Sequence, residues 1–177
     1  MQINEWIIHN IKQGDFQKIE AYLIEGFNAN VKDRRGWSPL HYATRIGSIE
    51  IIQLLMNYNA NINIKTDYGL NLLHIAALFG HEKPIEFFIL QGLNVDELDN
   101  KCWTPLHYAC WSGRIDTIKL LISNGANVNA FNNEQKRPLD LANENGYREI
   151  YYLFDSKLQP NTYLGKILSY VFPLKNR

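Results

Sequence analysis

The stretch that decides the fold is Thr104-Pro105-Leu106-His107-Tyr108-Ala109, because related copies of it recur along the chain. The copies are Ser38-Pro39-Leu40-His41-Tyr42-Ala43, Asn71-Leu72-Leu73-His74-Ile75-Ala76 and the more divergent Arg137-Pro138-Leu139-Asp140-Leu141-Ala142. Equivalent positions lie 33 residues apart, as do two series of turn residues: Gly14, Gly47, Gly80, Gly113 and Gly146, and Gly26, Asn59, Gly92 and Gly125. A fixed period of this length indicates a repeat protein, in which each repeat is one supersecondary unit that packs on its neighbours.

Each copy has the local chemistry of a helix start. Ser38 and Thr104 are good N-cap residues, and the proline that follows each of them suits the first helical position. The next apolar residues have helical spacing, and a glycine such as Gly47 ends the helix because glycine adopts the left-handed conformation readily. A second apolar segment then leads to another glycine, or to Asn59, since asparagine is the next-best left-handed residue. The sequence therefore predicts two short helices in each repeat.

The period, the T-P-L-H-x-A motif at 104–109 and the G-A-x-V-N linker at 125–129 resemble the ankyrin-repeat family. The resemblance implies an all-α ankyrin-repeat solenoid of helix-turn-helix repeats joined by β-hairpin loops. The expected domain covers residues 1–156, with repeats at approximately 4–30, 31–63, 64–96, 97–129 and 130–156. The first and last repeats diverge from the motif, as terminal repeats do when one of their faces meets water. Cys102 stands where other repeats have the hairpin glycine, so we expect a less regular hairpin there.

Residues 157–177 lie beyond the repeats and form an amphipathic segment with basic and no acidic side chains. Its apolar residues recur at helical spacing, which predicts a C-terminal capping helix over the fifth repeat. A basic amphipathic segment that binds a membrane surface or a partner's groove is the alternative. The apolar positions are Tyr163, Leu164, Ile167, Leu168, Val171 and Phe172.

Composition narrows the function classes. Eighteen basic and eighteen acidic residues balance, so net charge gives no reason to expect nucleic-acid binding. Two cysteines are too few for the set of disulfide bonds that stabilises a small secreted protein. The N-terminal residues also lack the basic start and apolar run of a signal peptide. We therefore expect a cytoplasmic protein, or alternatively one delivered into a host cell. We also expect it to be monomeric.

The evenly spaced histidines His41, His74 and His107 suggest a metal site only at first sight. Neighbouring repeats lie about 10 Å apart, whereas zinc ligands bind at about 2 Å. The resemblance implies instead that each histidine bonds the neighbouring repeat's backbone and a residue at its own helix start, while His9 and His81 lie at the surface. Cys110 occupies a small packing position, and no phosphate loop or nucleophile motif is present. We expect no metal, no cofactor, no small-molecule substrate and no catalytic activity.

The resemblance also implies where a partner binds. In ankyrin proteins the usual recognition surface is the concave one, formed by the hairpin tips and the exposed side of the first helices; we call it the concave face. Large residues are not required there by the framework, and aromatic and arginine side chains dominate binding energy at interfaces. Aligning the repeats gives the predicted partner-binding residues Arg34, Arg35, Trp37, Arg45, Ile46, Asp67, Tyr68, Leu70, Leu78, Phe79, Asn100, Lys101, Trp103, Trp111 and Ser112.

The leading hypothesis is a non-enzymatic protein–protein interaction module, acting as an adaptor, scaffold or inhibitor through the aromatic-rich concave face. The alternative is a secreted effector of an intracellular bacterium or protist that acts on a host protein. Its tail, residues 157–177, would then associate with a membrane. Asn63 and Asn129 occupy the linker position that asparagine hydroxylases modify in some ankyrin proteins, but a structural role is the simpler interpretation.

Overall fold

The computed structural model describes residues 5–154, apart from the side chain of Tyr152. Helices follow one another in pairs, and no β-strand is formed within these residues. In chain order they are α1 (Glu5–Gln13), α2 (Phe16–Ile24), α3 (Pro39–Ile46), α4 (Ile49–Asn57), α5 (Leu72–Phe79), α6 (Glu82–Leu90), α7 (Pro105–Trp111), α8 (Ile115–Ser123), α9 (Pro138–Glu144), a 3-10 turn (Arg148–Ile150) and α10 (Tyr151–Phe154). The all-α repeat architecture expected from the sequence is confirmed.

Thr104 and His107 show how the repeated motif starts a helix. The Thr104 side chain accepts a hydrogen bond from the His107 backbone N–H, and the Thr104 backbone N–H donates to His107 Nδ1 over 3.1 Å. This reciprocal arrangement satisfies two N–H groups that would otherwise lack a partner at the helix start. Asn71 and His74 form the same arrangement at the start of α5, so asparagine replaces the hydroxyl residue there.

The hairpins between repeats are regular, which corrects the expectation for Cys102. Cys102 adopts the left-handed conformation, with φ +57°, and its N–H donates to the Asp99 carbonyl over 3.0 Å. Gly36 donates to the Asp33 carbonyl over 3.1 Å in the same way. The hydrogen bond that closes the turn therefore selects the left-handed conformation even where the residue is not glycine.

The hairpins are also hydrogen-bonded to one another along the stack. The N–H groups of Asp67, Asn100 and Asn133 donate to the carbonyls of Arg35, Tyr68 and Lys101 in the preceding hairpins, over 3.1 to 3.3 Å. Because these bonds join positions in adjacent repeats, the hairpin tips keep a constant register.

One apolar core runs through the stack. The first helices pack against each other in the order α1, α3, α5, α7 and α9, and each first helix from α1 to α7 also packs on the second helix of its own repeat. Fully buried residues such as Ile7, Leu40, Leu72 and Leu106 belong to this single core. The repeat boundaries stay predictions, and the expected capping segment at 157–177 lies outside the described residues.

Candidate binding surface

The repeated histidines join one repeat to the next beneath the concave face. His74 Nε2 lies 3.0 Å from the Trp103 carbonyl oxygen, and His107 Nε2 lies 3.1 Å from that of Lys136. Since a backbone N–H donates to Nδ1 of each ring, a neutral ring carries its proton on Nε2 and donates it to the carbonyl. Each histidine thus fixes its own helix start and the hairpin of the following repeat.

His41 is the exception within this series. The Ser38 N–H donates to its Nδ1 over 3.0 Å, but its buried Nε2 forms no well-aligned hydrogen bond with a described residue, although the backbone of Leu70 acts on the ring. Burial lowers the pKa of His41 to about 4, and that of His74 to about 4 as well, while the pKa of His107 is lowered for the same reason. The rings are therefore neutral at physiological pH.

Side chains at 33-residue intervals form rows across the first helices, because these helices stack in order. One row consists of Lys12, Arg45, Leu78, Trp111 and Glu144, and we call it the first-helix row. Its chemistry changes from cationic through apolar to anionic along the stack. Lys12 was not among the predicted partner-binding residues because the first repeat lacks the motif. Its distance of 33 residues from Arg45 would have placed it on this surface.

The predicted partner-binding residues differ in exposure. The exposed ones are Arg34, Arg35, Arg45, Asp67, Tyr68, Asn100, Lys101 and Trp111, and the half-buried ones are Trp37, Ile46, Leu70, Leu78, Phe79, Trp103 and Ser112. Tyr68 is 63% and Trp111 is 46% exposed, which is unusual for such large side chains. These two side chains are the most prominent aromatic groups on the concave face.

Trp37 and Trp103 instead pack within their own repeats. The Trp103 ring lies 5.0 Å from the Tyr108 ring and 6.0 Å from that of His107, measured between centroids. Trp37 makes the equivalent contacts with Tyr42 and His41, at 5.3 and 5.8 Å. Much of the area of both indoles is therefore already used to hold the hairpin on the first helix.

Arg45, Phe79 and His81 connect the second and third repeats. The Arg45 guanidinium lies 5.4 Å from the centroid of the Phe79 ring, which stacks on the His81 ring at 6.4 Å. His81 Nε2 lies 2.9 Å from the Arg45 carbonyl oxygen. His81 is thus half-buried between repeats rather than on the free surface, whereas His9 is exposed.

The two ends of the concave face differ in how their charges are paired. At the end formed by the fifth repeat, Lys136 bonds Glu144 at 2.9 Å and Glu134 at 3.3 Å, and hydrogen bonds to these carboxylates raise the pKa of Lys136. At the other end, Lys12, Arg34, Arg35 and Arg45 form no ion pair with another described residue. The cationic end therefore carries the larger uncompensated charge, since two glutamates share one lysine at the other end.

The two cysteines lie in different surroundings. Burial raises the pKa of the Cys110 thiol, and Cys102 is an exposed free thiol at a hairpin tip. Within residues 5–154, no group of three or more His, Cys, Asp or Glu side chains could hold a metal ion. Among the helices of the described part of the chain, none has the length and apolar character needed to cross a membrane.

Comparison with known proteins agrees with this architecture. The family model described as ankyrin repeats (3 copies) matches residues 7–99 and 73–162. A 54-residue stretch is 37% identical to a putative ankyrin repeat protein of fowlpox virus (strain NVSL), and a 55-residue stretch is 34% identical to the 2-5A-dependent ribonuclease of Mus musculus. Each stretch covers 30% of this chain, but only 38% of the viral protein and 8% of the mouse protein. The chain therefore matches only a part of each relative.

Proposed function

Because the chain belongs to the ankyrin-repeat family, we propose that it is an adaptor, scaffold or inhibitor that binds a protein partner through its concave face. Ankyrin repeats are protein–protein interaction modules and generally have no catalytic activity. The finer role goes beyond membership of the family, since one fold serves many partners. We expect no nucleic acid, small-molecule substrate or cofactor to be its principal ligand.

The exposed Trp111 side chain is the observation that carries this proposal. It lies at the end of α7 in the first-helix row, in which Leu78 occupies the equivalent position of the preceding repeat. Its backbone carbonyl accepts a hydrogen bond from the Asn145 side chain over 3.1 Å, so the end of α7 is held by the next repeat. A large exposed ring on a fixed backbone is suited to act as a binding anchor, because little conformational entropy is lost on binding.

A photo-crosslinking amino acid at position 111 tests the proposal. A matched probe at Leu90, an 83% exposed apolar residue at the end of α6, serves as the control. In a lysate of the native cell, we expect a protein crosslinked from position 111 and absent from position 90. Equal labelling from both positions would count against the concave face.

Binding of the purified crosslinked protein then measures the contribution of the anchor. We expect Trp111→Ala to weaken binding by about 2 kcal/mol or more, and Leu90→Ala to leave it unchanged. Trp103→Ala is a poor test, because Trp103 packs on His107 and Tyr108 and its removal also perturbs the fold. A Trp111→Ala variant that folds and binds normally contradicts the proposal.

The cytoplasm is the compartment that we propose, either in the native cell or, for a secreted effector, in a host cell. The free thiols Cys102 and Cys110 are compatible with a reducing environment. Microscopy of a tagged chain in native and host cells tests the location. Liposome flotation with and without residues 160–177 tests membrane association of the tail.

A further inference from the structure

We propose that the partner is recognised through an extended acidic segment, whose carboxylates bind Lys12, Arg35 and Arg45 and whose apolar side chain packs on Trp111. This inference rests on the proposed function and specifies the chemistry of the partner. It follows from how charge and apolar surface are distributed along the concave face.

The cationic end of the face is a cluster rather than scattered charge. Lys12 Nζ lies 5.9 Å from the centroid of the Tyr42 ring. Arg45 is three residues after Tyr42 on α3, and Arg35 lies in the hairpin whose Asp33 accepts the Tyr42 hydroxyl. The three cations therefore lie on the elements that meet at this tyrosine. All three side chains are exposed, so they can reach a ligand.

The acids nearest to this cluster do not neutralise it. One oxygen of Asp33 accepts the Tyr42 hydroxyl at 2.6 Å, and the other accepts the backbone N–H groups of Arg35 and Trp37. Asp67 is exposed on the neighbouring hairpin and forms no ion pair with a described residue. Four cations, counting Arg34, thus share two carboxylates, so this end of the face keeps a net positive charge.

The opposite end of the face carries a smaller net charge. Lys136 already pairs with both Glu134 and Glu144, which leaves one net negative charge, and a basic segment would have to displace Lys136. The larger demand for complementary charge is therefore at the end that carries the cations. Guanidinium groups favour carboxylates because their N–H groups can donate two parallel hydrogen bonds to one carboxylate.

The distance between the charged and apolar ends sets the length of the segment. Arg45 and Trp111 are two repeats apart, which corresponds to about 20 Å at the usual spacing of packed helices. An extended chain spans that distance with about six residues. The segment should therefore carry acidic residues about six positions from a large apolar side chain.

A nucleic acid fits this surface less well than an acidic protein segment. Its phosphates would have to pass Asp67, Glu134 and Glu144 along the same face, and the chain's balance of charges provides no long-range attraction for a polyanion. Leu78 and Trp111 in the middle of the first-helix row favour an apolar side chain instead. We therefore treat nucleic-acid binding as an outcome of the test.

Selection from a random library of displayed peptides about 12 residues long, on the full chain at about 150 mM salt, tests the proposal. Enriched peptides should carry an excess of Asp and Glu at one end and an aromatic or large aliphatic residue about six positions away. The best of them are synthesised, labelled and titrated by fluorescence anisotropy.

Charge reversal then locates the binding site. Arg35→Glu/Arg45→Glu should weaken the selected peptides about tenfold or more, and selection on that variant should enrich basic peptides instead. Lys83→Glu/Lys119→Glu, which alters exposed residues of α6 and α8, changes the net charge equally and should leave binding unchanged. A circular-dichroism melt checks that each variant is folded. If the Arg35→Glu/Arg45→Glu variant does not fold, Arg35→Gln/Arg45→Gln is used in its place.

Several outcomes would overturn the inference. These are enriched peptides without acidic excess, no enrichment at all, equal weakening by both double variants, or displacement of the peptides by single-stranded DNA. Neutral peptides that lose binding with Trp111→Ala would contradict the acidic segment and leave the proposed function intact. Peptides that bind all variants equally would contradict both the acidic segment and the proposed binding function of the concave face.

Discussion

At the scale of single residues, two tyrosine–aspartate pairs fix the hairpins of the second and fourth repeats. Tyr108 Oη donates to Asp99 over 2.7 Å, as Tyr42 Oη does to Asp33 over 2.6 Å. Burial and the hydrogen bond to Asp33 raise the pKa of Tyr42 to about 12, and burial and the hydrogen bond to Asp99 raise the pKa of Tyr108. Because the other carboxylate oxygen accepts hairpin N–H groups, each aspartate joins a hairpin to a first helix.

Tyr108→Phe tests this contribution. We expect the free energy of unfolding, measured by urea denaturation, to fall by about 1 to 2 kcal/mol, because a buried Asp99 oxygen loses its donor. Tyr68→Phe removes the hydroxyl of an exposed ring and should have no measurable effect. Equal losses in the two variants would show that the Tyr108 hydroxyl bond does not stabilise the fold.

At the scale of helices, the glycines that end them fall into two kinds. Gly47 ends α3 with φ +76°, and a Cβ built on it would lie 2.6 Å from Nδ1 of His81 in the next repeat. Gly92 follows α6 with φ +90°, and a Cβ added to it would have no atom within 4 Å beyond its chain neighbours. Glycine is therefore favoured at position 47 by the left-handed backbone and by the close approach of the His81 ring. At position 92 it is favoured by the left-handed backbone alone.

This difference predicts unequal effects of alanine at the two positions. Both Gly47→Ala and Gly92→Ala should lose about 1 to 2 kcal/mol of stability from left-handed strain. Gly47→Ala should lose roughly 1 kcal/mol more, because the His81 ring must move and its contact with the Arg45 carbonyl weakens. Thermal or urea denaturation of the pair measures the difference; a greater loss in Gly92→Ala would contradict the packing argument.

At the scale of the whole molecule, the buried histidines link the stability of the stack to pH. The folded pKa of His41 and of His74 is about 4, below the ordinary value of 6.5, so the unfolded chain binds more protons between these values. The free energy of unfolding therefore falls as the pH drops from 6.5 towards 4. Protonation would also place a hydrogen on Nδ1, where a backbone N–H already donates.

We expect urea denaturation to show a loss of roughly 2 kcal/mol for each of these two histidines by pH 4.5, relative to pH 7. A His74→Gln variant should lose less over the same range, because one titrating group has been removed. A stability that stays constant down to pH 4 and falls only below it would contradict this prediction. The loss would then come from carboxylates such as Asp33 and Asp140, whose pKa values are lowered.

The sequence by itself was sufficient for the repeat, the helix pairs, the left-handed turn residues and the rows in which surface residues lie. These features depend on neighbours within a few positions, and the 33-residue period repeats them. The sequence wrongly predicted a less regular hairpin at Cys102. The hydrogen bond that closes the turn outweighs the preference of a non-glycine residue against the left-handed conformation. The sequence pattern also missed Lys12, which occupies its row without the motif.

Only the tertiary structure decided which of the predicted residues are available to a partner. Trp103 and Trp111 look equivalent as sequence, yet Trp103 packs on His107 and Tyr108 while Trp111 remains exposed. Likewise, Lys136 pairs with both glutamates, and Arg45 of the opposite end forms no such ion pair with a described residue. The partners of Trp103 and Lys136 are near them in the chain, but the contacts form only once the hairpin is folded onto its first helix, so the sequence pattern alone could not determine them.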